Sequence, residues 1–140
     1  MDENLTFHYI ISGEDFTRAG EASSDLKNKL KMIGADNNVI RRTAIAMYEG
    51  EINMVIHAGG GEIFVEVSPD NIRIVLADKG PGIADIEKAM RKGYSTAPEE
   101  VRALGFGAGM GLPNMEKYSD SMHIDSEPGV GTTVTMDIHM

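Results

Sequence analysis

Three consecutive glycines, Gly59-Gly60-Gly61, divide this 140-residue chain between two stretches of different period. Before them, apolar residues recur at helical spacing. After them, EIFVEVS over residues 62–68 alternates at every second position. Glycine lacks a Cβ, so it stops a helix readily and frees the chain to begin a strand. The alternation continues through Pro69-Asp70-Asn71 into IRIVLA over residues 72–77, which makes a hairpin. A long helix that passes directly into a hairpin points to an α+β layer structure, since successive strands then pair with each other and not across a helix.

The flanking segments agree. LTFHYII over residues 5–11 predicts a strand that Gly13 ends. A helix is expected from about residue 15 to 33, capped by Asp15, with Phe16, Ala19, Leu26, Leu30 and Ile33 on its apolar face. A second helix is expected over about residues 38–58, with Ile45, Tyr48, Ile52, Val55 and Ile56 as its buried stripe. A short helix over residues 84–92 and a long loop over 93–110 follow the hairpin; loops of that length usually close over a ligand. Residues 111–118 form a helix with Pro113 in its first turn, and residues 121–126 pair with 132–139 in a last hairpin. No repeat or linker divides the chain. The expectation is one domain over residues 1–140, a two-layer α/β sandwich with a mixed, mostly antiparallel sheet.

Composition removes several function classes. There is no cysteine, which excludes disulfides, thiolate metal sites and cysteine nucleophiles and fits a reducing cytoplasm. The formal net charge of −9 disfavours non-specific nucleic-acid binding, which needs lysine and arginine against phosphates. It leaves nucleotide binding open, because backbone N–H groups can hold phosphates locally. No apolar run approaches the roughly 18 residues that a membrane helix needs. The acidic start MDENLTFHY does not read as a signal peptide. A cytoplasmic protein with no membrane and no nucleic-acid partner is expected.

Three constellations carry chemistry. Glu49 and Asn53 are one helical turn apart and share a face. An amide oxygen is a hard ligand suited to Mg²⁺, and a carboxylate beside it can orient or deprotonate a hydroxyl. Glu51 falls on the opposite side of the same helix and is expected to face away, so that Glu51→Ala should be near neutral. Taken alone, the Glu49–Asn53 pair reads more readily as a solvated helix edge than as a site. Asp78 at a strand end, followed by Gly80 and Gly82, can accept from an exocyclic amine while the glycines admit a base close to the backbone; an ordinary turn has the same composition. Gly105, Gly107, Gly109 and Gly111 alternate just before a helix, which offers unobstructed N–H groups and a partial positive charge to phosphates. The run matches neither GxGxxG nor GxxxxGK[ST], so it is neither a Rossmann fingerprint nor a P-loop.

The order Glu49…Asn53, Asp78…Gly82, Gly105…Gly111 and Gly129-Val130-Gly131-Thr132 resembles the Bergerat-fold (GHKL) ATPases over about residues 36–140. The resemblance implies ATP and Mg²⁺ as cofactors, Asn53 as the Mg²⁺ ligand and Asp78 as the adenine reader supported by Thr132. It also implies that Gly80 and Gly82 lie along the base, and that Gly105, Gly107, Gly109, Gly111 and Leu112 belong to the nucleotide lid. GYSTAPEEVRALGFGAGMGLPNM is similar to the lid of the anti-sigma-factor and switch serine kinases of bacterial partner switching. That branch implies transfer of the γ-phosphoryl of ATP to a serine of an antagonist protein, with Glu49 as catalytic base or orienting group. It further implies a sigma factor or another regulatory protein as partner, and it allows a homodimer. The alternative is a non-catalytic module whose nucleotide only sets its conformation. A sensor histidine kinase is disfavoured, because only about 35 residues precede the matched region and no phospho-acceptor helix is visible. His57 continues the Glu49–Asn53 edge, where it either touches the site or, more often, is a satisfied structural group. His8, His123 and His139 sit in expected strands with no metal-like spacing, Ser95 and Thr96 read as lid structure, and the ten methionines read as adaptable core.

Overall fold

A computed structural model of the chain describes residues 5–12, 20–57, 59–80, 111–127 and 129–140. Among these, the elements run β1 (Leu5–Ser12), α1 (Glu21–Met32), α2 (Asn37–His57), β2 (Gly60–Val67), β3 (Asn71–Ala77), α3 (Gly111–Tyr118), β4 (Ser121–Glu127) and β5 (Gly131–His139). The cap at Asp15, the apolar Phe16 and Ala19, the short helix over 84–92, the loop over 93–110 with Ser95 and Thr96, and the side chains of Ile56 and His57 lie outside the described residues.

The strands form one sheet in the order β1-β2-β3-β5-β4. Against the mixed, mostly antiparallel sheet expected, all four described pairings are antiparallel. Alternation decides which face is covered. Ile63, Val65 and Val67 of β2, Ile72, Ile74 and Leu76 of β3, and Val134, Met136 and Ile138 of β5 point inward and are buried. Leu26 and Leu30 of α1, Met47 and Met54 of α2, and Leu112 and Met115 of α3 meet them from the helical layer. Each such side chain contributes roughly 1.5–3 kcal/mol on burial, so this one interface carries most of the fold's stabilisation. Ile33 does not join the apolar face of α1; it follows the last helical residue and is exposed. Polar ties fix the edges. Tyr9 of β1 donates to Asp25 Oδ2 of α1 at 2.7 Å. Arg42 near the start of α2 donates to Asp120 Oδ2 at 3.1 Å, and the same oxygen accepts from the His139 backbone N–H at 2.6 Å.

The phase expected for α2 needs correction. Ile52 and Val55 are buried as expected, but Tyr48 is 39% exposed and Ala46, Met47 and Met54 do much of the packing. The reason is that α2 packs against both α1 and α3 as well as the sheet. A helix covered on several sides has no single stripe, and choosing one by its largest residues misplaces it.

Glu51 is the clearest consequence. It does not face solvent; it is 2% exposed. Its Oε2 accepts from the backbone N–H of Gly20 at 2.8 Å and of Ala22 at 3.2 Å, and its Oε1 accepts from Ser23 N–H at 3.1 Å. These are donors at the start of α1, which no intrahelical carbonyl can satisfy. Gly20, at the N-cap position, has no side chain to cap them. The charge is tolerated because three N–H dipoles and the positive end of a helix converge on it. Glu51→Ala would strand those donors in the interior, so the expectation of a neutral substitution is wrong.

Candidate functional site

The site begins where β3 ends. The β3–β5 register pairs Ala77 with Thr133, which places Asp78 opposite Thr132. The Asp78 backbone N–H donates to the Thr132 carbonyl at 2.9 Å, extending the ladder by one bond. The return bond goes to the side chain instead: Thr132 N–H donates to Asp78 Oδ1 at 3.1 Å. Gly80 N–H donates to the same oxygen at 2.9 Å, closing a turn of the kind that Asp favours after a strand. Both bonds fall on Oδ1, so the carboxylate is fixed in orientation. The Thr132 side chain is held in turn, with Oγ1 2.8 Å from Ser126 Oγ across the last hairpin.

Gly131 is required for this arrangement. Its φ is +147°, and a Cβ there would run into the Asp78 carbonyl oxygen, which is backbone and cannot swing aside. Gly131→Ala should therefore destabilise the fold by ~1–3 kcal/mol. A thermal melt of the variant, alongside wild type, checks this; an unchanged midpoint would mean that the hairpin relaxes freely.

The second half of the site lies on α2. Glu49 is half-buried, and its Oε1 accepts from Asn114 Nδ2 of α3 at 3.3 Å. Burial raises its carboxyl pKa above the ordinary range, while the Asn114 bond works in the opposite sense. Asn53, one turn on, is half-buried. The next residue, Met54, reaches the end of β3: its terminal methyl and the Asp78 Cα both crowd the open side of Gly61. The α2 stretch that carries Asn53 thus abuts the strand end that carries Asp78.

Of the residues singled out from sequence, Asp78, Gly80 and Thr132 are joined by hydrogen bonds, and Glu49 and Asn53 stand on the adjoining helix. Gly111 opens α3, and Leu112 is 9% exposed in the core. Gly82, Gly105, Gly107 and Gly109 lie outside the described residues. Sequence reasoning missed Asn114, Ser126 and the buried role of Glu51. Asn114 lies in α3; in the sequence it is only the Asn of GLPNM, with nothing to link it to Glu49. Ser126 could have been found from the hairpin itself, since pairing residues 121–126 with 132–139 sets it opposite Thr132.

Among the described residues, no group of three or more His, Asp or Glu side chains could hold a metal, and no helix is long and apolar enough to cross a membrane. Residues 38–140 match the model of the histidine kinase-, DNA gyrase B- and HSP90-like ATPases. An anti-sigma F factor of Clostridium beijerinckii is 36% identical over 141 residues, covering 96% of this chain and 93% of that protein. The serine/threonine-protein kinase RsbT of Bacillus subtilis is 32% identical over 112 residues, covering 77% of this chain and 78% of that one. A Mycobacterium tuberculosis structure with RsbU and RsbW domains superposes with a TM-score of 0.64 at 20% identity, over 96% of this chain and 31% of that one, and so supports the fold. The chain belongs to the histidine kinase-, DNA gyrase B- and HSP90-like ATPases, in the branch that includes the anti-sigma F factors and RsbT.

Proposed function

We propose that the protein is an ATP-dependent serine-protein kinase that also regulates by binding its partners, an antagonist protein carrying the acceptor serine and a sigma factor or another regulatory protein. The observation that carries this reading is the fixed carboxylate of Asp78, with Oδ1 engaged by Thr132 and Gly80 N–H groups. Its second oxygen suits the amino group of adenine. Gly80 and Gly82 would flank the base, and Gly105, Gly107, Gly109 and Gly111, with Leu112 behind them, would close over the phosphates.

The residues present suit Mg²⁺. Asn53 offers one hard oxygen beside a half-buried carboxylate, and Mg²⁺ usually takes few protein ligands, filling its shell with water and substrate phosphates. Bound there, it would draw charge from the phosphates. Glu49 would accept the proton of the serine hydroxyl as the serine oxygen–phosphorus bond forms and the bond to the leaving ADP oxygen breaks. Asn114 would hold the carboxylate toward the acceptor. Phosphoryl transfer asks mainly for positioning, which this arrangement supplies.

The test is incubation of the purified protein with γ-labelled ATP and Mg²⁺ in an extract of its source cells. Label on serine of one protein, absent with Glu49→Ala, is the expected result. Nucleotide binding without any transfer would favour the non-catalytic regulatory module.

A further inference from the structure

We infer that Glu51 is a positioning residue for the nucleotide site: its clamp on the start of α1 sets the place of Glu49 and Asn53. The inference rests on the nucleotide reading above.

Glu49, Glu51 and Asn53 occupy alternate positions of α2. At about 100° per residue, Glu51 lies on the side of the helix opposite the other two. Glu49 is held from α3 by Asn114, and Glu51 holds α1 through three backbone N–H groups. The middle of α2 is thus pinned from both sides within one turn. A second contact reinforces the α1 side. Gly20 has φ +99°, and a Cβ on it would lie 2.9 Å from Tyr48 Cε1. Tyr48 and Glu51 are three residues apart and share a face, so both meet the same helix start. Ser23 completes the clamp: it is 3% exposed, and its Oγ donates to the Gly20 carbonyl at 3.1 Å.

The Asp78–Thr132 pair is held differently, by bonds within the sheet and its following turn. Loosening Glu51 should therefore leave adenine recognition in place and disturb what depends on Asn53 and Glu49. A purely structural carboxylate would lower stability without that selectivity.

The experiment compares wild type with Glu51→Gln and Glu51→Asp, each well below its melting midpoint. Gln keeps the shape but turns an amide toward N–H donors; Asp keeps the charge and shortens the arm. ADP is titrated with Mg²⁺ and with EDTA, and the side-chain amide resonance of Asn114 is followed by NMR. The expected result is unchanged affinity in EDTA, a Mg²⁺-dependent gain reduced about tenfold or more, and a shifted Asn114 resonance. If Glu51→Gln does not fold, Glu51→Asp decides alone. Variants that keep the wild-type Mg²⁺ gain and Asn114 resonance, whatever their stability, overturn the positioning role. A wild type that binds ADP in neither condition overturns the nucleotide reading itself, and one that binds in EDTA without a Mg²⁺-dependent gain overturns the Mg²⁺ role of Asn53; a shifted Asn114 resonance in the variants then still shows that the clamp places Glu49.

Discussion

Asp78→Asn is expected to weaken ATP binding by ~1–3 kcal/mol, roughly ten- to a hundredfold, with little loss of stability. The substitution is selective because of the local geometry. Oδ1 receives both backbone bonds, from Thr132 and Gly80, and an asparagine carbonyl oxygen can receive the same two. What changes is the other atom. An oxygen that would accept from the proposed adenine amine becomes an NH₂ group that would oppose it. Calorimetric titration with ATP, paired with a thermal melt, separates the two effects. Full affinity in a stable variant would remove Asp78 from base recognition.

Glu49→Ala should lose about 10²–10⁴-fold in serine phosphorylation while keeping nucleotide affinity, the range expected on removing a positioned general base. Its pH dependence gives a second check. A raised carboxyl pKa means that the folded protein holds the proton more readily, so the basic form is lost as pH falls through a value above the usual 4.3 or so for glutamate. Activity should therefore fall on acidification earlier than an ordinary carboxylate would dictate. Asn114→Ala removes the bond that opposes the shift, so its acid limb should move to still higher pH. An acid limb that ignores Asn114 would show that another group sets it.

The strands are legible in the sequence because their signals are local. Alternation and the Pro69-Asp70-Asn71 turn place β2 and β3 to within a residue or two of their observed ends. The core face follows from the same alternation. The pairing of Asp78 with Thr132 is not local: the two are 54 residues apart, and only the β3–β5 register brings them together. Their neighbourhood can be expected from the family order of motifs but not from either segment alone. Glu51 escapes sequence reasoning for the same kind of reason. A charged residue on a helix defaults to solvent unless something satisfies it, and what satisfies it here is the start of a helix about thirty residues earlier in the chain. Asn114 likewise acquires meaning only when α3 is laid against α2.

The central claim is that the end of β3 reads adenine. The most direct measurement is calorimetric titration of the wild-type protein with ATP and with GTP, both with Mg²⁺. Asp78 accepts hydrogen bonds and has nothing to donate to a guanine carbonyl, so ATP should bind clearly more tightly than GTP, and Asp78→Asn should erase most of the difference. Equal affinity for the two nucleotides, or binding of neither, would contradict the account.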